Sequence, residues 1–257
     1  MKAANFLIGM LTFFQTFFYG SFKSTFSERI IGGEIAANKA HPYQVALLVN
    51  DKYQCSGSII SVQHILTAGH CVDRTETKQL KVIVGTNNFK TDDQKYSVFL
   101  RYLHENYNRV NILNDIAVLY IKYGITLSEN VKVIKLSTTQ PLVGSAAVVA
   151  GWGVTTDSSS QASFVLRSLN VTIKHPFDCV TALKGYPMQN PMMICTEGRF
   201  LQGPCFGDSG GALTQANKQY GIVSWSVGCA KGQPMVYTNV ANYIIWLNKV
   251  TENTITT

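Results

Sequence analysis

Apolar residues in this chain come in short runs separated by glycine, asparagine, aspartate and serine. Tyr43 to Val49, His64 to Ala68, Leu80 to Gly85, Ile116 to Ile121 and Lys132 to Leu136 are rich in β-branched and aromatic residues. So are Ala146 to Ala150, Leu166 to Ile173, Gly221 to Trp225 and Met235 to Val240. Short strands at this spacing predict an all-β sandwich or barrel architecture. Only the stretch from about Val240 to Val250 reads as a helix, with Ile244, Ile245, Trp246 and Leu247 as its apolar contact with the core. The polar tail Thr251 to Thr257 is expected to fray. Thr91 to Lys95 and Thr155 to Gln161 read as exposed loops, and no internal repeat or low-complexity segment interrupts the pattern.

The N-terminus is patterned differently. Lys2 precedes a mostly apolar run from Phe6 to Phe18, followed by the small residues Gly20 and Ser21. This is the order of a secretory signal, and the run is short for a membrane span of ~20 residues. Residues 1–20 are therefore expected to be a signal peptide, which makes the protein secreted and extracellular, with no membrane association. The six cysteines, Cys55, Cys71, Cys179, Cys195, Cys205 and Cys229, contain no C-x-x-C pair. An even set of this kind points to disulfides rather than zinc, and disulfides require the oxidising compartment that a signal provides.

Composition agrees with a packed β-rich protein. Of 257 residues, 46% are hydrophobic and 14% charged, which excludes a disordered chain or a coiled coil. The net charge of +7 is scattered, with no basic block, so no nucleic-acid partner is expected.

Three short segments carry candidate chemistry. They are Leu66-Thr67-Ala68-Gly69-His70-Cys71, Asn114-Asp115-Ile116-Ala117-Val118-Leu119 and Gly207-Asp208-Ser209-Gly210-Gly211. Serine at its free pKa is a poor nucleophile and needs an adjacent base. Histidine suits that role near neutrality, and a carboxylate behind it fixes the tautomer. Taken singly, each segment also fits a structural turn. The glycine-flanked serine also matches G-x-S-x-G, but α/β-hydrolases run Ser, Asp, His along the chain, whereas this one runs His, Asp, Ser.

Together, from Arg29 to about Val250, these segments resemble the chymotrypsin-like, trypsin-fold secreted serine peptidases, invertebrate chymotrypsin and elastase types in particular. That resemblance implies two packed antiparallel β-barrels with a short C-terminal helix, spanning residues 30–257. It implies a serine endopeptidase in which His70 is the general base and acid, Asp115 orients it and Ser209 attacks the substrate. The N–H groups of Gly207 and Ser209 would form the oxyanion hole. Arg29-Ile30-Ile31-Gly32-Gly33 is similar to the family's activation junction. By that likeness residues 21–29 are a propeptide, and cleavage after Arg29 frees the Ile30 amine to pair with Asp208. Loss of Lys2, Lys23, Arg29 and Glu28 takes the charge from +7 to +5. The family pattern also implies the pairs Cys55–Cys71, Cys179–Cys195 and Cys205–Cys229.

The same resemblance assigns the substrate pocket. Gly203 takes the place of the pocket base, where an enzyme acting on basic residues carries aspartate. Val223-Ser224-Trp225-Ser226 forms one wall, with Ser224 hydrogen-bonding toward Asp115 and Trp225 and Ser226 offering a backbone edge to substrate. Met235 stands where the family carries glycine. Pointing inward it favours small or medium aliphatic residues, and turned away it leaves room for Phe, Tyr or Leu. Phe206 is at the rim, either touching substrate or covering a disulfide. Gly69 and Ser56 are departures from the usual alanine and glycine. The expected partners are protein or peptide substrates, a trypsin-like activating protease and proteinaceous inhibitors, acting on a monomer in a digestive setting. The alternative is a catalytically weak homologue that binds partners. No cofactor or metal is expected, since Asn87, Asn88, Asp92 and Asp93 make a poor calcium loop. Asn170-Val171-Thr172 is an N-glycosylation acceptor sequence, so Asn170 is a candidate glycosylation site.

Overall fold

The structure, a computed structural model, describes residues 30–90, 94–156, 161–189 and 191–257. The expected signal peptide, the expected propeptide with Arg29, and Asp92 and Asp93 lie outside them.

Alternating and fully buried apolar runs form strands in chain order. The first half supplies β1 (Glu34–Ile35), β2 (Gln44–Val49), β3 (Lys52–Ile59), β4 (His64–Thr67), β5 (Leu80–Val84), β6 (Lys95–Ser97), β7 (Leu100–Leu103) and β8 (Ala117–Tyr120). The second half supplies β9 (Lys135–Leu136), β10 (Ala146–Gly151), β11 (Arg167–Thr172), β12 (Met193–Thr196), β13 (Ala212–Gln215), β14 (Lys218–Ser226) and β15 (Met235–Asn239). One curled antiparallel sheet runs β6-β5-β2-β3-β4-β8-β7, and the other runs β1-β11-β10-β13-β14-β15-β12 with β9 alongside β14. These are the two expected β-barrel halves of an all-β fold.

The halves meet on apolar side chains from both sheets. Ala46, Leu48 and Ile83 pack with Ala150, Trp152 and Leu166. Two buried polar bonds cross the same interface: Gln44 Nε2 donates to the Ala150 carbonyl at 2.9 Å, and Ser58 Oγ donates to Gln219 Oε1 at 2.7 Å. Such bonds fix the relative register of two sheets, because a slip would strand a buried polar group. All three expected disulfides are present.

The sequence reading needs correction in four places. Lys95 opens a strand instead of closing a loop. A helix, α1 (Pro176–Ala182), precedes the C-terminal one, with His175 as its cap and proline in its first turn. The expected C-terminal helix begins as a 3-10 turn over Val240–Tyr243 and becomes α2 (Ile244–Val250). Trp246 and Leu247 are buried, but Ile245 is 88% exposed, since adjacent residues on a helix point about 100° apart. The tail does not fray through its length. Thr251 is buried, Thr254 Oγ1 donates to the Thr251 carbonyl at 2.7 Å, and Leu136 N–H donates to the Thr256 carbonyl at 2.9 Å. No helix among the described residues is long and apolar enough to cross a membrane.

Candidate active site

Each candidate residue sits where a strand ends. His70 lies in a 3-10 turn (Gly69–Cys71) directly after β4, with Cys71 tied to Cys55 on β3. Asp115 precedes β8, the partner of β4, so the pairing of those strands brings the two residues together. Ser209 lies before β13 in the other sheet.

Asp115 is 1% exposed and fully engaged. Its Oδ1 accepts the His70 backbone N–H at 2.8 Å, and its Oδ2 lies 2.8 Å from His70 Nδ1. Ser224 Oγ donates to the same Oδ2 at 2.5 Å, and Thr238 Oγ1 donates to the Asp115 backbone carbonyl at 2.8 Å. The Ser224 contact depends on a bulge. In the β14–β15 ladder Val223 faces Tyr237 and Trp225 faces Val236, so Ser224 is the extra residue whose side chain is re-aimed. Burial by itself lowers the His70 pKa, but the hydrogen bond and charge of Asp115 outweigh it, and the net direction is upward. Held at Nδ1, the ring keeps Nε2 free for exchange with the cleft.

That cleft has a volume of about 470 Å³, and His70 and Ser209 both line it. Phe206, Ser224, Trp225, Ser226 and Met235 line it as well. Among the described residues Arg109 is the only formally charged side chain on this lining, and its Nε is paired with Asp73 Oδ2 at 2.7 Å. Phe206 is 72% exposed at the mouth. Met235 is buried and borders both this cleft and a small adjoining pocket of about 20 Å³. Gly203 lines the adjoining pocket and not the main cleft, and Pro204, Ser226, Gly228 and Met235 line both.

The loop before Ser209 is pinned peptide by peptide. Val154 N–H donates to the Phe206 carbonyl at 2.8 Å, and Asp208 N–H donates to the Cys205 carbonyl at 3.0 Å. In a trans peptide the carbonyl and the next N–H point in opposite directions. Holding the Phe206 carbonyl therefore aims the Gly207 N–H away from Val154. Gly207 has φ +98°, a conformation that favours glycine. Asp208 is buried, its carboxylate accepting the N–H groups of Gly153 and Cys205 at 2.8 and 2.9 Å. Burial raises its pKa to about 6 against these two bonds. No ion pair to it is present among the described residues. Ile30 is also buried, and the adjoining Ile31 carbonyl accepts the Gly203 N–H at 2.9 Å.

Several participants were not read from the sequence. Gly151 and Gly153 make room for Asp208, since a Cβ at either would come within 2.1 or 2.3 Å of its oxygens. The Gly-Trp-Gly run was the available signal. Tyr53, Thr238 and Arg109 carry no local motif. Gly69 proves to be a crowded position: a methyl there would meet Leu103, Tyr107 and the Ile116 nitrogen at 3.0–3.2 Å. Cys55, His70 and Cys71 lie close enough to suggest a metal site, but both sulfurs are committed to the disulfide. Asn170 is exposed on β11.

Two curled sheets, with a buried aspartate bound to a half-buried histidine that shares a cleft with a glycine-framed serine, match a serine peptidase of the chymotrypsin-like fold. The trypsin family model matches residues 30–247, and the chain belongs to that family of serine endopeptidases. It is 36% identical over 223 residues to trypsin alpha-4 of Lucilia cuprina, covering 85% of this chain and 86% of that protein. It is 35% identical over 227 residues to brachyurin of Leptuca pugilator, covering 86% and 98%. Among solved structures it resembles neuropsin, a serine protease expressed in the limbic system of mouse brain. That match has a TM-score of 0.79 and 27% identity over 86% of this chain and 99% of that one.

Proposed function

We propose that the chain is a secreted precursor, with residues 1–20 as signal and 21–29 as propeptide, of a digestive endopeptidase cleaving after uncharged apolar residues. Ser209 Oγ attacks the scissile carbonyl while His70 Nε2 takes its proton. Asp115 holds the Nδ1–H and stabilises the imidazolium that forms. The N–H groups of Gly207 and Ser209 receive the oxyanion of the tetrahedral intermediate. Collapse expels the amine with a proton from His70 and leaves an acyl group on Ser209. Water, activated by His70, then hydrolyses that ester. An extended substrate pairs with the backbone of Trp225 and Ser226.

The observation that carries this reading is the buried Asp115 carboxylate. It is shared between His70 Nδ1 and Ser224, two residues that line the cleft together with Ser209. The uncharged preference rests on the lining of the main cleft, where Ser226, Met235 and the disulfide of Cys205 and Cys229 present no carboxylate, while Glu197 beside Gly203 in the adjoining pocket is paired with Arg199. Activation rests on Asp208. In the uncut chain the Ile30 nitrogen is an uncharged amide, and cleavage after Arg29 by a trypsin-like protease creates the cation that a buried carboxylate lacks. The disulfides fit an extracellular setting.

The test is to activate the purified precursor with trypsin, quench the trypsin selectively, and profile peptides differing only before the scissile bond. Ser209→Ala is carried alongside. Turnover after Ala, Val, Leu, Phe or Tyr, absent from the control, is the expected result. Cleavage after Arg or Lys, absent from the control, refutes the pocket assignment. No turnover above the control with a correct Ile30 terminus favours a binding homologue.

A further inference from the structure

Beneath the loop that carries Gly207 lies an aromatic group that none of the chemistry above uses. The Tyr53 ring stacks on Phe89 at 4.8 Å between centroids and meets Trp152 edge-on at 6.3 Å. These contacts fix the ring plane, and they leave its hydroxyl directed at the loop. Tyr53 O–H donates to the Gly207 carbonyl at 2.6 Å. The Ser56 hydroxyl, fully buried, lies 3.0 Å from the Tyr53 oxygen. The phenol has one proton and gives it to Gly207, so the Ser56 hydroxyl donates to the phenol at 3.0 Å, with the Gly207 carbonyl a longer second acceptor for it at 3.4 Å. Burial, reinforced by the charge of Asp208, pushes the Tyr53 pKa upward and keeps it a donor.

We propose that Tyr53 and Ser56 form a relay that positions the oxyanion donors: Ser56 O–H to Tyr53 O–H to the Gly207 carbonyl. The two peptides flanking Gly207 are then both fixed, one by Val154 and the other by Tyr53. Steric contact adds to this, since a Cβ on Gly207 would lie 2.9 Å from Tyr53 Cε1 and 3.1 Å from Gly153 Cα. Without the Tyr53 bond the Gly207–Asp208 peptide keeps only the bond from the Asp208 N–H to the Cys205 carbonyl, and Gly207 adds little steric restraint of its own. Rotation about the Gly207 Cα then loosens the aim of the Gly207 N–H relative to that of Ser209. Preorganised donors act on charge that appears only in the transition state, so the loss falls on kcat. Ser56, an unexplained departure at the sequence level, acquires a role: it polarises the phenol and strengthens its bond to the loop. Ser56 also ties the nucleophile directly, its N–H donating to the Ser209 carbonyl at 2.8 Å.

The proposal rests on Ser209 being the acylated nucleophile and Gly207 an oxyanion donor, and the experiment separates the two. Activated wild type, Tyr53→Phe and Ser56→Ala are compared with two inhibitors of one peptide sequence. One is a boronic acid, which forms a tetrahedral adduct in the oxyanion site. The other has a reduced scissile bond and no carbonyl oxygen. In Tyr53→Phe the expected result is a kcat about tenfold lower with KM within about twofold. Its boronate inhibition weakens about tenfold while the reduced-bond peptide binds as before. Ser56→Ala moves the same ratio in the same direction, about threefold, and carries the test if Tyr53→Phe does not fold. A merely structural role weakens both inhibitors together and overturns the proposal, as does an unchanged ratio in both variants. Absence of an acyl-enzyme burst in wild type overturns instead the functional reading beneath it.

Discussion

On the activation proposed above, Asp208 makes the stability of the uncut chain, but not that of the cut chain, fall as pH rises. Burial raises its pKa from 3.8 to about 6. Between those values the folded uncut chain binds more protons than the unfolded chain, so its stability falls as pH rises. The contribution is fully present below about pH 4 and lost by the time pH passes about 6. The shift corresponds to roughly 3 kcal/mol, which the uncut chain carries as a cost at neutral pH. In the proposed activation, cleavage after Arg29 introduces the Ile30 amine, which would favour the ionised carboxylate and remove that cost. The assay is denaturant unfolding of uncut and cut protein from pH 4 to 7.5, both carrying Ser209→Ala to prevent self-digestion. Taking the difference cancels the groups that titrate alike in both forms. The cut form is expected to gain on the uncut form by about 3 kcal/mol across this window, with most of the gain between pH 4 and 6.5. A difference that stays flat with pH refutes the pairing of the new amine with Asp208.

Three further outcomes follow from named contacts. Asp115→Asn removes the carboxylate charge that raises the His70 pKa, so the acid limb of kcat/KM is expected to move to lower pH. kcat is expected to fall roughly 10^3- to 10^4-fold, measured by steady-state kinetics across pH 5 to 9. Gly153→Ala drives a methyl into the Asp208 carboxylate, and is expected to abolish turnover and lower unfolding free energy by about 3 kcal/mol or more. Met235→Gly joins the main cleft to the pocket lined by Gly203, and is expected to raise the Phe-over-Ala ratio in kcat/KM at least about tenfold. It also costs ~2–5 kcal/mol of stability for the core volume removed.

The strands that were legible in the sequence are those dense in valine, isoleucine and leucine, such as β2, β5 and β10. β3 was not, because Lys52-Tyr-Gln-Cys-Ser-Gly-Ser-Ile59 carries small and polar residues where its face packs under the Ser209 loop. There Ser56 N–H meets the Ser209 carbonyl, so the close approach itself selects side chains that obscure the strand. α1 stayed hidden for another reason: it buries only Cys179 and leaves Phe177 70% exposed, so it has no apolar stripe. In the site, His70, Asp115 and Ser209 were readable from short motifs and their order. Gly153, Thr238 and Tyr53 were not, since they reach their partners across sequence separations that no local pattern encodes. The place of Met235 on the linings of both pockets is likewise a matter of the pairing of β15 with β12 and β14.

The central claim is that Ser209 is a nucleophile made reactive by His70 and Asp115. Its most direct test is rapid mixing of the trypsin-activated, quenched protein with p-nitrophenyl acetate, followed by mass determination of the acid-stopped chain. The account predicts a burst of one nitrophenolate per chain and an acetyl group on Ser209, with neither in Ser209→Ala. No burst, or an acetyl group on another residue, contradicts it.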